Sequence, residues 1–406
     1  MKRWFLYSLT LWFFATWTLP SSAQQKGQPG RSSQSESALP GAAIMDAYLP
    51  LLKGKRVALV VNQTSRVGSE HLLDTLLKHG IKVVKVFVPE HGFRGTADAG
   101  EQISNTTDKQ TGLPVVSLYG KNKKPAKEQL KDVDIIVYDL QDVGVRFYTY
   151  ISTLEYVMQA CIESAKPLVI LDRPNPNGHY IDGPVLKPAH RSFVGMQAVP
   201  VVYGMTAGEY ARMLAGEGWI ENADKLDMKI ISCRHYDHST LYELPVPPSP
   251  NLKSMAAIYL YPSLCFFEGT VVSVGRGTDK PFQQWGHPDF AGKTSHFFIP
   301  QSTTGARSPL YEGKKCFGKM EATDVAEALA RVDGKLQLDA LITAYRWYPN
   351  KAGFFNNFFE KLAGTDELRK MIEKGMSADE IWSAWRKDLE TFNQIRKKYL
   401  LYQDFE

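Results

Sequence analysis

The chain has 406 residues, 44% hydrophobic and 22% charged, which is ample for one large or two ordinary globular domains and rules out a disordered or fibrous chain. A formal net charge of +5 is spread along the sequence, and the short Lys121-Lys123-Lys124 and Arg396-Lys397-Lys398 runs read as solvated faces. No nucleic-acid partner is expected from such a pattern. The four cysteines, Cys161, Cys233, Cys265 and Cys316, contain no CxxC pair and are too dispersed for a disulfide scaffold or a structural zinc site. Cys161, inside a helical pattern, reads as a buried free thiol.

Residues 1–23 have the layout of a secretory signal peptide. Lys2 and Arg3 precede the apolar run Trp4–Leu19, and Ser21-Ser22-Ala23 offers small residues before a cut. Export to the periplasm or beyond the cell follows, with no stable membrane insertion after cleavage. A flexible leader is expected over residues 24–50, with its Gln, Ser, Gly and Pro bias running from Gln24 to Pro40.

Strand and helix patterns then alternate. Strands are expected at Arg56–Asn62, Ile81–Val88, Leu113–Leu118, Asp134–Asp139 and Pro167–Leu171. Helices are expected at Glu70–His79, Ala126–Lys131 and Tyr150–Ala165. Farther on come a capping box at Thr206–Glu209 opening a helix through Leu214, a strand at Asp227–Ser232, a rigid connector at Pro245–Pro250, a helix over Ala256–Phe267 broken at Pro262, and a strand at Thr270–Val274. This order predicts an α/β fold. It is a Rossmann-like, doubly wound, mainly parallel sheet over residues 51–262, with a second, smaller α+β C-terminal domain over 263–406 that completes a cleft. No GxGxxG or Walker loop accompanies the sheet, so no nucleotide is implied. The last helix opens at the capping box Ser377–Glu380 and aligns Ile381, Trp385, Leu389, Phe392 and Tyr399.

Ligands of open parallel sheets bind beyond the carboxyl ends of the strands. Four loops there carry the candidate chemistry. They are Asn62–Ser65, Pro89–Gly95 (PEHGFRG), Asp139–Tyr148 (DLQDVGVRFY) and Asp172–Gly178 (DRPNPNG). Carboxylates and amides suit sugar hydroxyls, aromatic faces suit a pyranose, and arginines suit an acidic substituent. Glu90 is the first catalytic candidate. A carboxyl one residue past a buried strand can keep the proton of a general acid, because desolvation disfavours the charged form. Glu268, followed by Gly269, and Asp142 are the other catalytic candidates, since glycosidases generally use two carboxyl groups. A 2-acetamido sugar could also supply its own amide as nucleophile. Substrate binding is assigned to Asn62, His91, Arg94, Asp139, Gln141, Arg146, Tyr148, Asp172, Arg173, Asn175, Arg276 and Lys280. Each of these also has a plain structural reading, such as Glu90 paired with Arg94, or Asp139 and Asp142 capping a helix or paired with Arg146. GxSxG and HExxH are absent, and His235 and His238 beside Asp237 read as a surface loop, not a metal site.

The motifs PEHGFRG, DLQDVGVRFYTY, DRPNPNG and EGTVVSVGRGTDKPF (Glu268–Phe282) resemble the NamZ exo-β-N-acetylmuramidase family, as does the C-terminal EIWSAWRKDLETFNQIRKKYLLY. The likeness runs from Arg56 to Tyr402. It implies an active site in the cleft between a Rossmann-like domain and a smaller one, with no metal or organic cofactor. It also implies release of N-acetylmuramic acid (MurNAc) from the non-reducing end of MurNAc–GlcNAc fragments of peptidoglycan, in cell-wall turnover or recycling. Glu90 falls on the family's glutamate in PEHG. A non-catalytic periplasmic muropeptide- or sugar-binding protein, and an amidase or esterase, are the competing readings.

Overall fold

A computed structural model describes residues 37–90, 92–93 and 106–406. The signal peptide, most of the leader, His91 and Arg94 lie outside the described residues. The chain becomes regular earlier than expected. Leu39 already bridges to Arg234, and helix α1 spans Met45–Leu52 and buries Tyr48 and Leu52, so residues 39–50, expected within a flexible leader, are part of the folded body. Gly41 explains the early docking. Its N–H donates to Asp172 O at 2.7 Å, and a Cβ there would sit 2.1 Å from Ile231 O.

The strands of the main sheet are β1 (Arg56–Val61), then β4 (Lys82–Val88), β5 (Thr106–Thr107), β6 (Pro114–Ser117), β7 (Ile135–Asp139), β8 (Leu168–Leu171) and β9 (Met228–Ile231), with a small β2–β3 hairpin (Arg66–Val67, Glu70–His71) set apart. Their spatial order is β5-β6-β4-β1-β7-β8-β9, parallel throughout except for the β5–β6 edge. Without that edge strand this is the doubly wound order of Rossmann folds, with its reversal at β1. Side-chain alternation shows both faces covered. Ala58 and Val60 enter one apolar cluster, while Val57, Leu59 and Val61 enter another with Tyr48, Leu52, and Leu72 and Leu76 of helix α2 (Leu72–Lys78). The first cluster is built under α3 (Tyr150–Glu163), α4 (Ala207–Gly216) and α5 (Met255–Leu264).

That cluster continues without a break into the C-terminal third, through Phe266, Phe282 and Trp285 to Ile381 and Phe392. The smaller region holds an antiparallel sheet of β10 (Gln284–His287), β12 (Cys316–Met320) and β11 (Phe297–Phe298), surrounded by helices α6 to α10 from Val325 to Arg396. The last helix, Ala378–Arg396, is capped by the expected Ser377–Glu380 box. All four cysteines are buried free thiols. Among the described residues, no helix is long and apolar enough to cross a membrane.

Two local departures have physical causes. Residues 270–274 make only single bridges, Thr270 to Phe355 and Ser273 to Gly286, instead of a strand. Thr270 Oγ1 and Ser273 Oγ accept from Val272 N and Gly275 N, taking donors that a ladder would need. Pro262 does not break α5. The carbonyl of Ile258, which loses its helical donor at Pro262, accepts from Asn177 Nδ2 at 3.2 Å.

Candidate active site

A cavity of about 610 Å³ opens beyond the carboxyl ends of β4, β6 and β7 and is closed on its far side by the C-terminal region. Glu90 reaches it from the loop after β4, Tyr119 from the loop after β6, and Phe147 to Tyr150 from the segment entering α3. Glu268, Arg276, Phe282, Leu362 and the loop Gly305–Leu310 supply the opposite wall. The volume fits a sugar or disaccharide within the usual range of ligand pockets.

Glu90 is partly buried. Thr149 Oγ1 donates to its Oε2 at 3.1 Å, and the Tyr119 phenol hydrogen-bonds the same carboxyl. Burial, and then the charge of Glu90, push the Tyr119 phenol up, so Tyr119 stays a donor. Tyr150 and Tyr148 stack edge to face at 4.6 Å between ring centres. Asn62 Nδ2 donates to Tyr150 Oη at 2.7 Å, and Tyr148 Oη donates to Pro248 O at 2.8 Å. The first of these bonds pins the start of α3 to the loop after β1, the second pins this wall to the Pro-rich connector. On the far wall Arg276 Nε donates to Glu268 Oε1 at 2.5 Å, and Cys265 Sγ lies 3.6 Å from Glu268 Oε2.

Of the residues expected at the site, Glu90, Tyr148, Glu268 and Arg276 line the cavity. The others that are described do not. Asp139 is fully buried against Arg173, with Nε–Oδ1 at 2.5 Å and Nη2–Oδ2 at 2.9 Å. Asp172 pairs with neither. It accepts from Thr206 Oγ1, Gly208 N and Tyr402 Oη, and burial raises its carboxyl to about 6. Asp142 is 5% exposed and accepts from Gly144 N and the Tyr203 phenol; burial raises it to about 6 as well. The second catalytic carboxyl expected of Asp142 therefore does not reach the cavity wall. Arg146 is fully buried and donates to four carbonyls, of Pro184, Val199, Leu362 and Ala363, and burial pushes it down to about 9. It ties the sheet's loop to the end of a C-terminal helix instead of binding substrate. Asn62, Gln141 and Asn175 spend their amides on Tyr150, on Asp142 O and Pro174 O, and on Met205 O. Lys280 turns away to Thr323 O. His238 is buried, not on a surface loop: its ring contacts Gly178 O and Glu209 Oε1.

Sequence reasoning missed Tyr119, Thr149, Tyr261, Phe282 and the 305–310 loop as cavity walls. Thr149 had a usable signal, being the residue before a helix that starts at a strand's carboxyl end. The 305–310 loop had none beyond its small residues.

Comparison with known proteins decides the family. The family described as exo-beta-N-acetylmuramidase NamZ matches through its N-terminal part at residues 57–256 and its C-terminal part at 259–402. The chain belongs to this family. It is thereby a glycoside hydrolase, and the binding-protein and amidase readings fall away. It is similar to the peptidoglycan beta-N-acetylmuramidase NamZ of Bacillus subtilis (strain 168), 36% identical over 99% of this chain and 100% of that one. Among solved structures it resembles a DUF1343 family protein from Bacteroides fragilis NCTC 9343, with TM-score 0.83 and 48% identity over 91% of this chain and 99% of that one. A second DUF1343 family protein from the same organism gives TM-score 0.77 and 27% identity over 90% and 99%.

Proposed function

We propose that this enzyme releases MurNAc from the non-reducing end of MurNAc–GlcNAc fragments of peptidoglycan, after export, in cell-wall turnover or recycling. The observation that carries the reading is Glu90, a carboxyl held by Thr149 and Tyr119 at the sheet's rim, inside a cavity of about 610 Å³. A carboxyl so fixed serves as the acid–base group of glycoside hydrolysis. It gives a proton to the glycosidic oxygen as the bond to the anomeric carbon breaks, and water completes that carbon. The activity named for the Bacillus subtilis relative supports the bond type. Export rests on the charged, apolar and small-residue order of residues 1–23.

The test is release of MurNAc from a chromogenic muramide and from the disaccharide by the full mature chain. Glu90→Gln should lower kcat by about 10²–10⁴-fold on a substrate with a poor leaving group. Release at the unaltered rate by that variant sinks the assignment of Glu90.

A further inference from the structure

Arg276 reaches the cavity from a turn that fixes it before any substrate arrives. Gly275 and Gly277 flank it at φ 75° and 79°, in the left-handed region that favours glycine. A Cβ on Gly277 would lie 2.4 Å from Gln301 O and 2.7 Å from Pro309 Cγ. The turn is closed by Thr278 Oγ1 donating to Gly275 O at 2.6 Å, and it is tied to the 301–310 wall by Gln301 N donating to Gly277 O at 2.9 Å.

The guanidinium is then held on two sides. Its carbon stands 5.1 Å from the centre of the Phe282 ring, and its Nε donates to Glu268. Phe282 adopts φ 58°, a backbone conformation rare for a side chain of this size, and its ring is buried edge-on to Tyr261 at 5.0 Å. Such strain persists only where the surroundings enforce it, and functional sites are where it gathers. Among the described residues, only Nε–H of Arg276 has a protein acceptor. Neither of its Nη groups has one among the described residues. The contrast with Arg146 and Arg173 is sharp, for Arg146 spends its Nη groups on carbonyls and Arg173 spends its fork on Asp139.

We propose that Arg276 is the receptor for an acidic substituent of the substrate, the lactyl carboxylate of the muramic acid ring, and that Glu268 is a positioning residue that orients the guanidinium. The proposal rests on the muramidase reading above. An arginine fork takes a carboxylate in two parallel hydrogen bonds, and one already immobilised loses little freedom on doing so. Glu268 offsets the cost of keeping the cation in a half-enclosed cavity while the site is empty. Both of its oxygens already face protein groups, Arg276 on one and Cys265 on the other.

The experiment compares 4-nitrophenyl β-N-acetylmuramide with its lactyl methylamide, which keeps the shape and removes the charge. The unaltered enzyme should prefer the acid by about 10- to 100-fold in kcat/KM, as a charge-assisted pair is expected to give. Arg276→Gln should bring the ratio of the two substrates close to one, and Arg276→Lys should restore part of it. Glu268→Gln should raise KM for the acid far more than it lowers kcat. An unaltered enzyme that cleaves both substrates equally well overturns the proposal without any variant. So does an Arg276→Gln protein that keeps the full preference, or a Glu268→Gln protein whose kcat falls about a thousandfold or more on both substrates, the signature of a group in the bond-breaking step. Cleavage of neither substrate by the unaltered enzyme instead removes the muramidase reading itself.

Discussion

Two clusters of polar side chains sit at the same end of the same sheet and do opposite work. Beyond β1, β7 and β8 lie Asn62, Asp139, Asp142, Asp172, Arg173 and Asn175, all buried and bonded to one another's loops. Beyond β4 and β6, and across from them on the C-terminal wall, lie Glu90, Tyr119, Glu268 and Arg276, which face a cavity. Both hold carboxylates and an arginine. What separates them is whether the last polar atom meets another loop or open space. The first cluster is the keystone on which the loops rest, and the second lines the cavity.

The comparison can be broken by exchanging stability against activity. Asp139→Ala strands the Arg173 guanidinium in a buried place, and the largest stability loss is expected there, about 3–5 kcal/mol in denaturant unfolding. Glu90→Gln should leave the unfolding midpoint close to that of the unaltered protein while activity falls. A large midpoint drop for Glu90→Gln with none for Asp139→Ala would reverse the two roles. Asn177→Ala comes next. It removes donors from Val143 O at 2.9 Å and from Ile258 O, the carbonyl left over by Pro262, at an expected cost of about 2–4 kcal/mol with the active-site chemistry kept.

The smallest effect concerns pH. Burial raises Asp142 from the ordinary 3.8 to about 6, so between those values the folded protein holds a proton that the unfolded chain has released. Stability contributed by this group is present below the unfolded value and is lost as pH rises through about 6. Asp142→Asn should therefore flatten the decline in unfolding free energy between pH 4 and pH 7, by about 2–3 kcal/mol. Equal slopes for the two proteins would show that Asp142 carries no such linkage.

Much of this was legible in the chain, for reasons that differ from residue to residue. The β-branched run Arg56–Val61 could be placed because a strand covered on both faces must be apolar at every position. The capping boxes at Thr206 and Ser377 could be placed because their hydrogen bonds span only three residues. Glu90 could be singled out because it follows a buried strand at the end where such sheets bind ligands. Asp139 and Asp172 were misjudged because their partners, Arg173 on the next strand's loop and Tyr402 near the C-terminus, are remote in sequence. Nothing local distinguishes an aspartate that meets a sugar from one that meets an arginine.

The sequence by itself determined the order of strands and helices through the main sheet, the doubly wound class, and the end of the sheet where the cavity lies, because these depend on periodicity and caps within a few residues and on the direction of the strands. Only the tertiary structure decided which polar side chains face space. Exposure at a loop crossing depends on what the rest of the chain places over it, and here the helix end at Leu362–Ala363 that accepts from Arg146, the Pro-rich connector that accepts from Tyr148, and the 305–310 loop that walls the cavity all come from far along the chain.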